Sequence, residues 1–464
     1  MRRIIVFLCV FALFAVSLYA EIGFSGWGRG VVTPLAFEGE YSGVSAATNS
    51  WSETPRVGFS VIGKSESGFI GFNLGAFWDG GDLRADIAKA WVRPVKMFTL
   101  TAGSFEEDDF RGKIGASEFN SWILPNGSKD EDNIFTRFKA TLGAHFKLEP
   151  LAWLNSEWAQ VIIEGAFGST PGGQRIFKHL INDSDPDNPN NLADVYKAIQ
   201  IGIAYTIPNT GFVRIQYIGN NRSEIRKDDH NRDVAFIPME GLSNSSDADV
   251  IEAAFQYTGL EGLNVDAGVK IPFEFDTNTE FLIYDAVKGN RSFEPYYNPI
   301  KADKTVQRSY TVALGVNWKP VFLDALNILA RADFSTGGWV EAPDNALRVE
   351  YGSDFRLYIV PSYRISTTIR AGVDFGLQIH DGDKWLENKK QKIERTENSK
   401  FTDIGFGPWG ELSMSGGTLK IGVMVMMPGT ERYRFNVGNS DRPFSIIYSG
   451  DPVITVPIFF TYSL

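Results

Sequence analysis

In the stretch RISTTIRAGVDFGLQIH, residues 364 to 380, apolar and polar positions alternate. Ile365, Ile369, Ala371, Val373, Phe375, Leu377 and Ile379 take odd numbers, while Arg364, Arg370, Asp374, Gln378 and His380 take even ones. A period of two predicts a strand with one oily face and one charged face. The pattern recurs. TRFKATLGAHFKL sets Phe138, Leu142, Ala144, Phe146 and Leu148 against Arg137, Lys139, His145 and Lys147. LRVEYGSDFRLYIV sets Leu347, Val349, Phe355, Leu357 and Ile359 against Arg348, Glu350, Asp354 and Arg356. SYTVALGVNWK and LNVDAGVKIPF alternate in the same way, as do runs near 57–63, 69–78, 87–93, 97–105, 159–168, 198–207, 212–218, 250–258, 326–335, 401–414 and 418–427. No stretch of comparable length shows a helical period.

Connections between these runs alternate too. Short ones such as KSES, PVK, PNTG, GLEG, PSY and SGG interleave with long polar ones near 34–54, 106–136, 169–195, 220–248, 274–306, 381–399 and 428–450. Tight turns at one end and long loops at the other predict an all-β fold: a transmembrane antiparallel up-and-down β-barrel of about 16–18 strands. A soluble many-stranded protein would also alternate, because antiparallel sheets often have one wet face. Three features favour the barrel. The runs are long enough to cross a bilayer, aromatics such as Trp78, Trp153, Trp158, Trp318 and Trp409 sit near strand ends, and the apolar faces are uniformly bulky while the opposite faces mix charge with glycine.

The beginning of the chain adds a compartment. MRRIIVFLCVFALFAVSLYA has two arginines, an apolar run and a small residue at Ala20, the build of a secretory signal peptide over 1–20, leaving 21–464 as one barrel. The single cysteine, Cys9, lies inside that leader, so the exported part carries no disulfide. No later apolar run is long enough for a membrane-spanning helix, which leaves a closed barrel as the spanning structure. The formal net charge is −11, which argues against nucleic acid as a partner.

The final segment VITVPIFFTYSL alternates once more and ends on Leu464. An aromatic-rich last strand of this kind resembles the C-terminal assembly signal of bacterial outer-membrane barrels. EIGFSGWGRGVV, at the start of the expected exported chain, is similar to a porin first strand. AKAWVRPVKMFTLTAGSF, residues 88 to 105, resembles the porin strand–turn–strand before the third loop. The resemblance to bacterial outer-membrane porins, general or sugar-specific, implies passive diffusion of small hydrophilic solutes or ions through an outer membrane. It implies contact with outer-membrane lipid, allows a homotrimer, and calls for no cofactor and no catalysis.

That resemblance also implies that the loop after the fifth strand narrows the channel. Here it spans 104–136 and carries Glu106, Glu107, Asp108, Asp109 and Glu118; a solvated outer loop of like charges is the other reading. The strand phase places Arg137, Lys139, Arg214, Arg331, Arg348, Asp354, Arg356, Arg364, Arg370 and Asp374 on the water-facing wall, where bases outnumber acids. Reading PSY (361–363) as a turn pairs Val360 with Arg364, sets Asp354 opposite Arg370, and sets Glu350 opposite Asp374 with Arg348 diagonal to them. Other chemistry is sparse. Asp183, Asp185, Asp187 and Asp194 have offsets like those of a Ca²⁺ loop, but Asn188 stands at the turn-glycine position, so a plain acidic loop is expected and no metal. DDH (228–230) and HDGD (380–383) contain the Asp–His pairing of a hydrolase, and polar loops account for them equally. A surface adhesin or antigen, with the barrel as scaffold for its long loops, is the alternative function.

Overall fold

The computed structural model describes residues 20–38, 41–45, 56–78, 83–107, 138–152, 160–169, 199–219, 234–237, 249–277, 280–285, 296–300, 304–342, 347–350, 352–381, 384–386, 394–396, 400–429, 432–435, 444–448 and 451–463. Within them the chain forms a closed barrel of 18 antiparallel strands, each paired with its sequence neighbours around the ring. In order these are β1 (Ala20–Glu38), β2 (Arg56–Ser65), β3 (Ile70–Trp78), β4 (Leu83–Val95), β5 (Phe98–Glu107) and β6 (Phe138–Leu148). Then follow β7 (Gln160–Ser169), β8 (Ile199–Ile207), β9 (Gly211–Ile218), β10 (Val250–Leu260), β11 (Leu263–Pro272) and β12 (Thr311–Trp318). The ring continues with β13 (Leu326–Ser335), β14 (Ser353–Arg364), β15 (Ile369–Asp381), β16 (Phe401–Met414), β17 (Gly417–Gly422, resumed as Met424–Met427) and β18 (Val453–Ser463). β18 closes the ring on β1, with Trp27 opposite Ser463 and Glu38 opposite Val453.

The apolar phase of each strand is exposed on the outside. Ile201, Ile203 and Tyr205 on β8, Val213 and Ile215 on β9, Val312 and Leu314 on β12, and Val373, Phe375 and Ile379 on β15 are all exposed. The opposite phase is covered: Glu164, Arg214, Gln216, Glu252, Arg331, Asp333, Asp374 and Asp403 are buried. Among the described residues no second layer packs on the oily face of these strands. Such an inside-out distribution suits an apolar solvent and a polar interior, the architecture of a transmembrane β-barrel. No helix among the described residues is long and apolar enough to cross a membrane.

Several long-loop connections carry the wall beyond the rim. Phe275–Thr277, Lys304–Gln307, Trp339–Ala342, Leu347–Glu350, Lys384–Leu386 and Glu394–Thr396 form a six-stranded sheet, in the same order as the barrel strands β11 to β16 that they flank.

One connection differs from expectation. PSY lies inside β14, and the turn is 365–368, so the β14–β15 register sets Asp354 opposite His380 and Arg364 opposite Arg370. Asp354 and Arg370 keep the same face but are not partners, and Glu350 belongs to the rim segment, opposite Trp339 and Lys384 rather than Asp374. The physical reason is in the turn. The Ser366 hydroxyl accepts hydrogen bonds from the Thr368 and Ile369 backbone N–H groups at 3.2 and 3.0 Å, which locks the chain reversal there. Pro361 is tolerated within the strand because the ladder to β15 is interrupted between Ile359 and Ser362, where proline has no N–H to donate.

Candidate functional site: the charged inner wall

The covered phase of β6 to β17 forms a lattice of charge pairs running across the strands. On β7, Glu164 lies 3.4 Å from Arg214 of β9 and 3.7 Å from the His145 ring of β6. Arg214 must pass over β8 to reach it. Gly202 of β8 provides the gap, since a Cβ there would sit 3.0 Å from the Arg214 Nη2. Arg214 also donates to Gln216 at 2.9 Å, Gln216 donates to Glu252 of β10 at 2.6 Å, and Lys270 of β11 meets the other Glu252 oxygen at 3.4 Å. A chain of polar contacts therefore spans β6 to β11, with two ion pairs joined through the Gln216 amide and Phe138 beneath the Arg214 guanidinium at 5.0 Å. Pairing is what permits such burial, because an isolated charge would be expensive out of water.

A second cluster spans β13 to β16. Arg356 donates to Asp333 at 2.7 Å, directly opposite in register, and Arg331 approaches the same carboxylate at 3.6 Å. Asp354 pairs with His380 at 3.0 Å, and the His380 ring stacks on Phe401. Further round, the Trp409 indole N–H donates to Asp374 at 2.6 Å, Lys420 sits 3.9 Å from the same ring, and Arg370 binds Glu411 at 2.6 Å. Trp409 lies flat on Gly372, where any Cβ would come within 2.4 Å of the ring.

The wall residues expected from strand phase thus fall in different places, Lys139 on β6 with a side chain outside the described set. Arg214, Arg331, Asp354, Arg356, Arg370 and Asp374 all carry their side chains on the covered face, each in a charge pair or hydrogen bond. Arg364 stands at the tight-turn rim, exposed, and binds Asp324 at 2.7 Å. Arg348 falls on the rim segment Leu347–Glu350, opposite Glu341 and Leu386, and its side chain lies outside the described set. Arg137, Asp108, Asp109 and Glu118 lie outside the described residues altogether, as do Asp183, Asp185, Asp187 and Asp194. Glu106 and Glu107 continue β5 rather than starting a loop, and Glu106 faces Lys139 of β6 in register. The inward course of 108–136 and residues 1–19 of the expected leader likewise fall outside. Among the described residues no cluster suited to a metal ion occurs.

Strand phase alone had not singled out Arg29 and Arg56. They face each other across β1 and β2, and their guanidiniums lie over Trp27 at 5.4 Å and Phe77 at 5.2 Å. Among the described side chains of β1 to β4 the inward acid is Glu21, held by Lys64 at 3.0 Å at the tight-turn end. Arg29 and Arg56 thus bring two positive charges together on this arc, and Glu252, Asp266 and Asp333 stand on β10 to β13. The signal was present in the sequence: Arg29 alternates with Ile22 and Phe24, and Arg56 with Val57 and Phe59. The glycines of β1 blurred that phase.

No family model matches the sequence, and no curated protein matches it. Among solved structures the chain is similar to OmpT, an outer membrane protein of Vibrio cholerae, at 10% identity, covering 96% of this chain and 98% of that one with a TM-score of 0.44. It is also similar to an anion-selective porin from Comamonas acidovorans (8% identity, 96% and 100% covered, TM-score 0.44). OmpF of Salmonella typhi aligns at 10% identity over 96% of this chain and 97% of that chain, with a TM-score of 0.43.

Proposed function

We propose that the chain is a bacterial outer-membrane porin, a water-filled channel for passive diffusion of small hydrophilic solutes and ions, without cofactor or catalysis. One observation carries this reading: the closed barrel exposes its bulky apolar side chains all round and keeps its charges inside. Soluble proteins rarely expose contiguous apolar patches beyond a few hundred Å². Hydrocarbon is the solvent that makes such an exterior favourable, and a charge-lined interior is then compatible with water and solutes.

The distribution of charge supports a selectivity as well. The Arg29–Arg56 pair brings two positive charges together on one arc of a wall whose Glu252 and Asp333 are paired with Lys270 and Arg356, and so directs a field into the lumen. Such a field favours hydrated, polar solutes over apolar ones. The test is conductance of the purified protein in a planar bilayer. Stable, ohmic steps are expected, and a barrel that inserts but stays silent would refute the channel.

A further inference from the structure

Most described turns at the tight-turn end are short and carry at most one large apolar residue: Glu66–Phe69 follows β2, Glu261–Gly262 follows β10, Ser415–Gly416 follows β16. The connection between β12 and β13, residues 319–325, is longer and reads KPVFLDA. Phe322 is 84% exposed, more than any other large apolar side chain described, and Val321 at 64% and Leu323 at 39% sit beside it. A turn that met only water would gain nothing from three consecutive apolar residues.

The turn is also rigid. The Lys319 N–H donates to the Gly262 carbonyl at 2.6 Å, the Leu323 N–H to Pro320 at 2.9 Å, and the Arg364 N–H to Ala325 at 2.8 Å. The Arg364 side chain fixes Asp324 at 2.7 Å. Both neighbouring connections thus brace it, so little conformational freedom remains to be lost when the apolar tip is covered. Around it, Leu260, Trp318, Tyr363 and Ile365 are exposed apolar residues at the ends of the adjoining strands. They extend the oily outer face of β10 to β14 to the tip without a break. Lys319 and Arg364 stand among them, as snorkelling side chains do at a headgroup layer, with Asp324 paired to Arg364.

We infer that turn 319–325 is a lipid anchor: Val321, Phe322 and Leu323 enter the headgroup–acyl boundary of the leaflet at the tight-turn end. The inference rests on the membrane reading above, and its test separates the two. In a Cys9→Ser background, single cysteines at Phe322, at Val373 on the outer face of β15, and at Thr367 in the next turn would carry nitroxide labels. The protein would be reconstituted in phosphatidylcholine–phosphatidylglycerol vesicles, and accessibility to oxygen and to a water-soluble nickel chelate would be measured by power saturation. The label at 322 is expected to resemble that at 373, oxygen-accessible and shielded from nickel, while 367 is open to nickel. If 373 reads as lipid and 322 as water, the anchor is refuted and the barrel stands. If 373 itself reads as water, the membrane reading falls and takes the anchor with it. As a second measure, Val321→Ser with Phe322→Ser should slow insertion into the same vesicles at least threefold while the detergent-folded barrel keeps its heat-dependent gel shift. An unchanged insertion rate would also overturn the proposal.

Discussion

At the scale of single residues, glycine and charge do complementary work on the inner wall. Gly372 is required by its neighbour, because a Cβ there would fall 2.4 Å from the Trp409 ring and 2.8 Å from the Pro361 carbonyl oxygen. Gly372→Ala should therefore lift Trp409 off the wall, weaken its hydrogen bond to Asp374, and cost about 1–3 kcal/mol. Gly410, with nothing within 4 Å of its built Cβ, is the control: Gly410→Ala should leave the melting temperature in detergent almost unchanged. Glu252 illustrates the other half. It is fully buried between Gln216 and Lys270, so Glu252→Ala leaves a largely covered ammonium without this carboxylate and should cost roughly 2–4 kcal/mol, below the full buried-pair value. Adding Lys270→Met should recover a large part of that loss. If the double variant is as unstable as the single one, the pair is not what holds this stretch together.

At the scale of strands and turns, the β14–β15 hairpin shows what a sequence reveals and what it conceals. Cysteines replacing Asp354 and His380, in a Cys9→Ser background, should cross-link on mild oxidation, because those two positions are direct partners. Cysteines at Asp354 and Arg370 should not. A gel under non-reducing conditions separates the two registers. Face was legible here, since side-chain period depends only on parity, and both candidate registers put Asp354, Arg356, Arg370 and Asp374 on one side. Register was not legible, because it hangs on which short polar segment reverses the chain. PSY looks like a turn by residue type, yet the Ser366 hydroxyl, with two backbone N–H groups within reach, makes the reversal four residues later. The same logic explains Arg29 and Arg56. Their strands were recognisable, but β1 has Gly26, Gly28 and Gly30 on its oily phase, so hydrophobic alternation alone could not assign the arginines a side. Pairing with β2, where Val57 and Phe59 are exposed, does so.

At the scale of the whole molecule, the inner wall acts on a solute through the sum of its charges, and like charges brought together at one point give that sum a direction. On β6 to β17 nearly every described inward base has an acid close by: Arg214 has Glu164, Lys270 has Glu252, Arg356 has Asp333, Arg370 has Glu411. Charges neutralised at 2.6–3.4 Å contribute little at the distance of a passing ion, which sees a local dipole. Arg29 and Arg56 differ, since they oppose each other in register, two like charges side by side over aromatic rings. Like charges facing across a ladder are mildly destabilising, so the arrangement is one that folding alone would not favour. Their field should therefore reach further into the lumen than that of Arg356 or Arg370. Arg29→Glu combined with Arg56→Glu is expected to move the reversal potential in a salt gradient towards cation preference, clearly more than Arg356→Glu combined with Arg370→Glu. The difference should shrink from 0.1 M to 1 M salt, as the screening length contracts from about 10 Å to about 3 Å. Equal shifts from the two pairs would mean that every inward base contributes alike, and the directed field would have to be abandoned even with the channel itself intact.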